Sequence, residues 1–499
     1  MNRADFEWLG YITHLRCGAL CCGYILAASM AVAQPDFLRI GTAVDAAPPD
    51  PAVARALASI DPAHIEQTID TLVKFGTRNS LTSMESGLPP GQGIEPAAEW
   101  IAAQFEQIAK ECGGCLEVNR DRFIADPASS ESWGRRVPHP TRMTNIYAIL
   151  RGSDPVQARR MVLVTGHYDS INSNVFKNWA DTSGAAPGAN DDASGVAVSL
   201  ECARALTKLR FPATIVFAAV AGEEQGLIGS AHLARLAREQ GWQLEAVLNN
   251  DIVGGNTSPG DTLQLKDRVR VFSEGVPAAA TPEEQRRIRA LGEENDSPSR
   301  ELARAISDTA RTYFPASARL DAFQGFLVFR PDRYGRGGDH SSFNREGFAA
   351  VRFTEWREDY NHQHQNVVRP AAGSSDPVLG DLPEFVDFGY VARVARLNAA
   401  ALATLASAPG EPEKVTMETG RQELSTTLHW SPPEGAPADT RYELVWRQTT
   451  APDWQYVQTV RPRQPGAAMT ITVPISKDNV VFGVRAVDAA SHRSIAVAP

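Results

Sequence analysis

At 499 residues the chain is too long for one ordinary domain, and 43% hydrophobic with 22% charged residues excludes wholesale disorder. Its 49 Lys and Arg against 59 Asp and Glu give a net charge of −10, which excludes a basic nucleic-acid-binding surface. Gly 38 and Pro 33 point to generous loops without collagen or linker character.

Residues 1–33 read as a signal peptide. Arg16 precedes fourteen uncharged residues, Cys17 to Met30, and then Ala31-Val-Ala33 ahead of Gln34-Pro35. A basic residue, a short apolar run and an Ala-x-Ala site are the parts of an export signal. The run falls short of the ~20 apolar residues of a spanning helix. The expectation is an exported protein, secreted or periplasmic, with no membrane span once the signal is removed. Beyond it the cysteines are Cys112, Cys115 and Cys202. Glu111-Cys-Gly-Gly-Cys115 reads as a local disulfide or a pair of thiols; a zinc site there would need further ligands nearby. Cys202 falls in a helical apolar pattern and reads as packing.

Residues 34–60, rich in Ala, Pro and Asp, read as an extended lead-in. Amphipathic helical patterns follow at 61–75 and 94–111, the second carrying Trp100, Ile101 and Phe105 and stopping at Gly113-Gly114. Strand-like apolar runs then appear at 145–150, 161–165, 213–220, 246–248 and 349–353, with helical patterns at 195–209 and 228–240 between them. This alternation predicts an α/β fold with a mostly parallel or mixed central sheet covered by helices, over 61–407. The polar stretch 255–335, with a charged helical segment at 282–315, reads as an elaborated insertion. After a helix near 384–406, residues 408–414 have linker composition and imply a separable module. Residues 415–499 carry short alternating strands at 426–430, 442–447, 470–473 and 480–487, an all-β sandwich by their spacing. With no cysteine beyond 202, this tail resembles a fibronectin type III module, with Trp430, Tyr442 and Phe482 as inward candidates.

Five acidic or histidine clusters punctuate the α/β region. Gly166-His167-Tyr168-Asp169 follows one strand, Gly222-Glu223-Glu224 another and Asn249-Asn250-Asp251 a third. Gly188-Ala-Asn-Asp191-Asp192 precedes a helix, and Gly338-Asp339-His340 precedes the strand near 349. Singly these are turns, caps and solvated faces. Together they fall where ligands gather in open α/β sheets, at the carboxyl ends of strands. Ionisable groups there are costly unless paired or metal-bound.

Over about 140–370 these motifs, in this order, resemble the secreted co-catalytic di-zinc peptidase family that includes bacterial leucyl-type aminopeptidases, glutamate carboxypeptidase and glutaminyl cyclase. The resemblance implies the zinc exopeptidase fold and two Zn²⁺ ions. His167 and Asp251 would bind one ion, Glu224 and His340 the other, and Asp191 would bridge them. It implies Glu223 as general base and Asp169 as the carboxylate behind His167. The chemistry asks for the same residue types: zinc takes imidazole and carboxylate ligands, and a free carboxylate moves the proton of an activated water. In Glu358-Asp-Tyr-Asn-His362-Gln-His364 the chain departs from its relatives' shorter Tyr-His segment. His362 or His364 is a candidate for hydrogen-bonding the oxyanion, with Tyr360 beside them; the alternative is an exposed polar loop.

The function this implies is an exported zinc aminopeptidase acting on peptide substrates. A carboxypeptidase is the first alternative, since Arg333 and Arg336 stand close before His340. A glutaminyl cyclase is the second, disfavoured because family cyclases work with one zinc and five ligand candidates are kept. A non-catalytic binding protein is the third, disfavoured because Glu223 and the ligand set are intact. The C-terminal module is left with a carbohydrate or a protein as its expected partner.

Overall fold

The computed structural model describes residues 36–129, 136–464 and 466–499. The signal-peptide reading lies outside the described residues. In chain order the strands are β1 Thr42–Ala43, β2 Leu116–Ala125, β3 Thr141–Leu150, β4 Arg160–His167, β5 Thr214–Val220, β6 Gln243–Asn250, β7 Arg268–Ser273, β8 Gln324–Val328 and β9 Ala350–Thr354. They continue as β10 Glu413–Met417, β11 Thr426–Ser431, β12 Arg441–Gln448, β13 Tyr456–Val460, β14 Met469–Val473 and β15 Val480–Val487. The α-helices are α1 Pro51–Ala58, α2 Pro62–Lys74, α3 Ile94–Glu111, α4 Ala193–Leu206, α5 Ile228–Glu239, α6 Pro282–Leu291, α7 Pro298–Tyr313, α8 His340–Arg345 and α9 Phe388–Ser407.

Eight strands form one mixed sheet in the order β2-β3-β5-β4-β6-β9-β7-β8. Its centre, β5-β4-β6-β9, is parallel throughout, and β3 and β7 join it antiparallel. Alternation along each strand splits the apolar residues between two cores. Val162, Val164, Ile215, Phe217 and Leu248 face the layer of α1 to α4, α7 and α9. Met161, Leu163, Val216, Ala218 and Val247 face α5 and α8. Both faces are therefore dry, which is why the central strands read as unbroken apolar runs.

Two elements depart from the sequence reading. The lead-in is not extended throughout: Asp50 caps α1, its Oδ1 accepting from the Ala52 and Val53 amides at 2.6 and 3.3 Å, and β1 pairs with β13. The polar insertion supplies two strands of the main sheet, β7 and β8, and its helical segment breaks at Gly292 into α6 and α7. The disulfide Cys112–Cys115 is formed, between α3 and the edge strand β2. Cys202 is free and buried in α4.

The C-terminal region is a sandwich of two antiparallel sheets, β1-β13-β12-β15 and β10-β11-β14, around Trp430, Tyr442, Leu444, Trp446 and Phe482. It is docked, not loosely tethered. Arg447 pairs with Asp296, Arg485 with Asp308 at 2.5 Å, and Trp454 Nε1 donates to Glu301 at 3.0 Å, all against α7 and the turn before it. Among the described residues no helix is long and apolar enough to cross a membrane.

Candidate metal centre

Three neighbouring parallel strands bring the predicted groups together. His167 ends β4, Glu223 and Glu224 follow β5, and Asp251 follows β6. Asp191 comes from the turn before α4, whose N-terminus packs against β4 without side chains between them. A Cβ on Gly166 would lie 2.5 Å from the Gly195 carbonyl carbon, and one on Gly195 would lie 2.3 Å from Asn250 O, so both positions require glycine.

Asp191 sits between two groups of ligand-type atoms. His167, Asp191 and Asp251 form one, Asp191, Glu224 and His364 the other, with the atoms of each within 4.8 Å of one another. Asp191 Oδ1 lies 3.1 Å from His167 Nε2, which is 3.9 Å from Asp251 Oδ1. Asp191 Oδ2 lies 2.9 Å from His364 Nε2, which is equally 2.9 Å from Glu224 Oε1. His167 Nε2, His364 Nε2 and Glu224 Oε1 are buried and lack a well-directed hydrogen bond. Each trio thus converges on a shared point.

The surroundings fix these side chains. Asp192 caps α4 through the Gly195 amide at 3.0 Å and accepts the His167 amide at 3.0 Å. Asp381 accepts the Asn190 and Asp191 amides at 2.8 and 2.7 Å, so a residue distant in sequence sets the bridging candidate's backbone. Burial first, with the Asp191 charge adding, pushes the Asp381 carboxyl up to about 7. Gln363 Nε2 donates to Asp191 Oδ2 at 2.9 Å, and the fully buried Arg352 pairs with Asp251 at 2.8 Å. Ile252 and His364 hold φ of 61° and 57°. A left-handed conformation is costly for a β-branched residue, and its place next to Asp251 marks a functional turn.

The sequence-predicted residues separate here. His167, Asp191, Glu224 and Asp251 are brought together. Glu223 belongs to neither trio but lines the same cleft. Burial pushes its carboxyl well above the ordinary range; His167 opposes this, and Asp251, Glu224 and Asp339 reinforce it. The His340 assignment is corrected: His340 belongs to neither trio, and its Nε2 lies 2.7 Å from the Pro331 carbonyl oxygen and 3.8 Å from Asp332 where α8 begins. His364 occupies the place expected of it. His362 is corrected too, because its ring stacks on Phe385 at 3.7 Å, outside the main cleft. Tyr360 stands 63% exposed at the mouth of the cleft. Asp169 is revised in part: its carboxylate is 3.5 Å from His167 Nδ1, whereas its own carbonyl oxygen is at 3.2 Å. The carboxylate instead accepts the Glu223 and Glu224 amides at 3.2 and 3.1 Å, holding that turn under β5.

The cleft over these groups has a volume of about 990 Å³ and takes Phe176, Trp179 and Leu227 on its apolar side. Arg333 and Arg336 line it as well, but both are tied to Glu358, at 2.7 and 3.2 Å. The cleft thus brings together two groups of ligand-type atoms that share Asp191, with Glu223 as a further carboxylate in its lining.

A family model described as peptidase family M28 matches residues 145–371. A probable zinc metalloprotease of Pyricularia oryzae is 43% identical over 92% of this chain and 86% of its own length. The chain belongs to peptidase family M28. A second relative, from Leptosphaeria maculans and also called a probable zinc metalloprotease, is 40% identical over 90% of this chain and 97% of its own. The LapA aminopeptidase of Legionella pneumophila is 21% identical, with a TM-score of 0.46 over 73% of this chain and 76% of that one. The matched span of the M28 chain contains every residue of the two trios.

Proposed function

We propose that this M28 protein is an exported zinc aminopeptidase, removing one residue from the N-terminus of a peptide. The observation that carries the reading is Asp191, whose two carboxylate oxygens face two different sets of imidazole and carboxylate ligands.

The residues present fit two zinc ions. Tetrahedral zinc with arms of about 2.0–2.2 Å spaces its ligands by roughly 3.3–3.6 Å. The separations of 2.9, 3.1 and 3.9 Å within the trios bracket that spacing. Buried imidazole and carboxylate atoms facing one another without directed hydrogen bonds are the donor set such an ion would satisfy. In this reading His167 and Asp251 hold one ion, Glu224 and His364 the other, and Asp191 both. Zinc bound there supplies Lewis acidity, lowering the pKa of a water and polarising the scissile carbonyl.

The chain's own groups do the rest. Glu223, free of both trios, takes the proton of the attacking water and returns it to the leaving amine as the C–N bond breaks. A carboxylate that binds neither ion is open to both halves of that transfer. Asp169 and Asp192 keep the reacting groups in register through backbone amides. Glu223, the cleft-lining carboxylate that would bind neither ion, offers a charge-assisted hydrogen bond to a free α-ammonium. Export draws support from the Cys112–Cys115 disulfide, which suits an oxidising compartment. The C-terminal sandwich, as a fibronectin type III-like module, is left free to meet a carbohydrate or protein partner.

Two blocked peptides test the reading. A C-terminal amide should be cleaved with release of its first residue, and the N-acetylated peptide should resist. Cleavage of the acetylated peptide with refusal of the amide would assign a carboxypeptidase instead.

A further inference from the structure

The cleft carries more positive charge than its described carboxylates and metal-site chemistry use. Arg333 and Arg336 are spent on Glu358. Arg136 and Arg345 also line the cleft, and neither has a carboxylate partner among the described residues. Arg136 rests over the Trp179 ring at 4.8 Å and reaches the Glu224 carbonyl oxygen at 3.4 Å. Arg345 lies on α8, and its hydrogen bonds among the described residues go to hydroxyls, Ser341 Oγ at 3.4 Å and Ser342 Oγ at 3.1 Å. Both guanidiniums thus have donors to spare at the wall of the cleft that holds the metal site.

In the reading above, Asp191, Glu224 and Asp251 are committed to two divalent cations and do not offset these arginines. Glu223 is then the one carboxylate left over among the described lining residues, in a cleft shared with two guanidiniums that have no carboxylate partner among those residues. An extended peptide advances about 3.3–3.6 Å per residue. Arg136 touches the backbone of Glu224, so a group one or two residues from the bond being cut falls within its reach. Guanidinium recognises carboxylate through paired charge-assisted hydrogen bonds, and an aromatic ring beneath it limits its freedom.

We propose that Arg136 and Arg345 form a carboxylate subsite that selects peptides bearing a negative charge just after the cleaved bond. Two sources have this chemistry: an Asp or Glu side chain at the second residue, and the C-terminal carboxylate of a dipeptide. The inference rests on the aminopeptidase reading for where the charge lies, though its binding part is measured without turnover.

The test uses full-length protein and four peptides: Leu-Glu-amide, Leu-Gln-amide, Leu-Ala free acid and Leu-Ala-amide. Calorimetric binding is measured in a Glu223→Gln background, and cleavage in the parent. Each carboxylate peptide should bind at least tenfold tighter than its neutral counterpart at low salt. Because partly exposed charges are screened, that preference should shrink at high ionic strength. Arg136→Gln and Arg345→Gln, singly, should bring the ratio toward one, and the conservative Arg136→Lys should restore part of it. A preference for Leu-Glu-amide alone assigns the subsite to a side chain, and one for Leu-Ala free acid alone assigns it to the chain terminus. Equal binding within both pairs, or a preference that survives both Gln variants, overturns the proposal. Selective binding without cleavage by the parent would leave the subsite standing and overturn the aminopeptidase reading.

Discussion

Two clusters of buried charge in this molecule look alike in composition and differ in how they are balanced. At the α7–sandwich interface every acid has an arginine or an indole: Arg447 with Asp296, Arg304 with Glu301, Arg485 with Asp308 and Glu443, Trp454 with Glu301, Arg311 with Asp453. At the strand ends Asp191, Glu224 and Asp251 meet two imidazoles and a single guanidinium, Arg352. In the first cluster the protein itself gives each acid a cationic or donor partner, although Asp453 Oδ1 and single nitrogens of Arg304, Arg447 and Arg485 are buried without a hydrogen bond. The second is complete only with added cations, and this imbalance, not the density of acids, points to a metal site. Burying an ion is costly in either case; the interface offsets the cost with its own partners, whereas the centre leaves imidazole and carboxylate atoms facing each other.

The largest effect should come from Asp191→Asn. A neutral amide cannot serve two cations, so activity should fall by more than the roughly 10–100-fold of an outer-sphere change, with loss of bound zinc by elemental analysis. Glu223→Gln should lower kcat by about 10²–10⁴ and leave zinc content unchanged, separating proton transfer from metal binding. At the interface, Arg447→Met leaves the Asp296 carboxylate buried without its partner. It should lower stability by about 3–5 kcal/mol in chemical denaturation, while the double variant with Asp296→Leu recovers most of that loss. Zinc affinity should be unmoved in both interface variants, which keeps the two clusters independent.

The smallest effect concerns pH. His492 Nδ1 lies 2.7 Å from Asp488, and its Nε2 is 3.6 Å from Asp50 at the start of α1. Burial opposes charging of the ring, but the two carboxylates outweigh it and raise its pKa above 6.5. A raised folded pKa means its contribution is fully present below about 6.5 and fades as pH rises through the folded value. His492→Asn should flatten that part of the stability profile by under about 1 kcal/mol, in keeping with partial screening. An unchanged profile would remove His492 from the docking account.

How much of this could be read from the sequence follows the same division. The central strands were legible because burial on both faces writes continuous apolar runs, as in Met161–Thr165 and Thr214–Val220. Strand β2 was not, since the polar run Asn119-Arg-Asp-Arg122 interrupts the alternation of its apolar residues. Strand β7 was hidden in a polar stretch, although Arg268-Val-Arg-Val271 carries the period of two that would have found it. Four metal-ligand candidates were legible because strands deliver them to one edge. His364 was passed over for His340 as the fifth ligand, since its place beside Asp191 and Glu224 depends on a left-handed turn that carries no sequence signal. The docked module was illegible for a related reason: Arg447 and Asp296 are 151 residues apart and leave no local signal.

The most direct test of the central claim is zinc-edge anomalous diffraction from crystals of zinc-loaded protein. The account predicts two peaks sharing Asp191, one beside His167 and Asp251 and the other beside Glu224 and His364, with none at His340. A single peak, or a second peak liganded by His340, would contradict it.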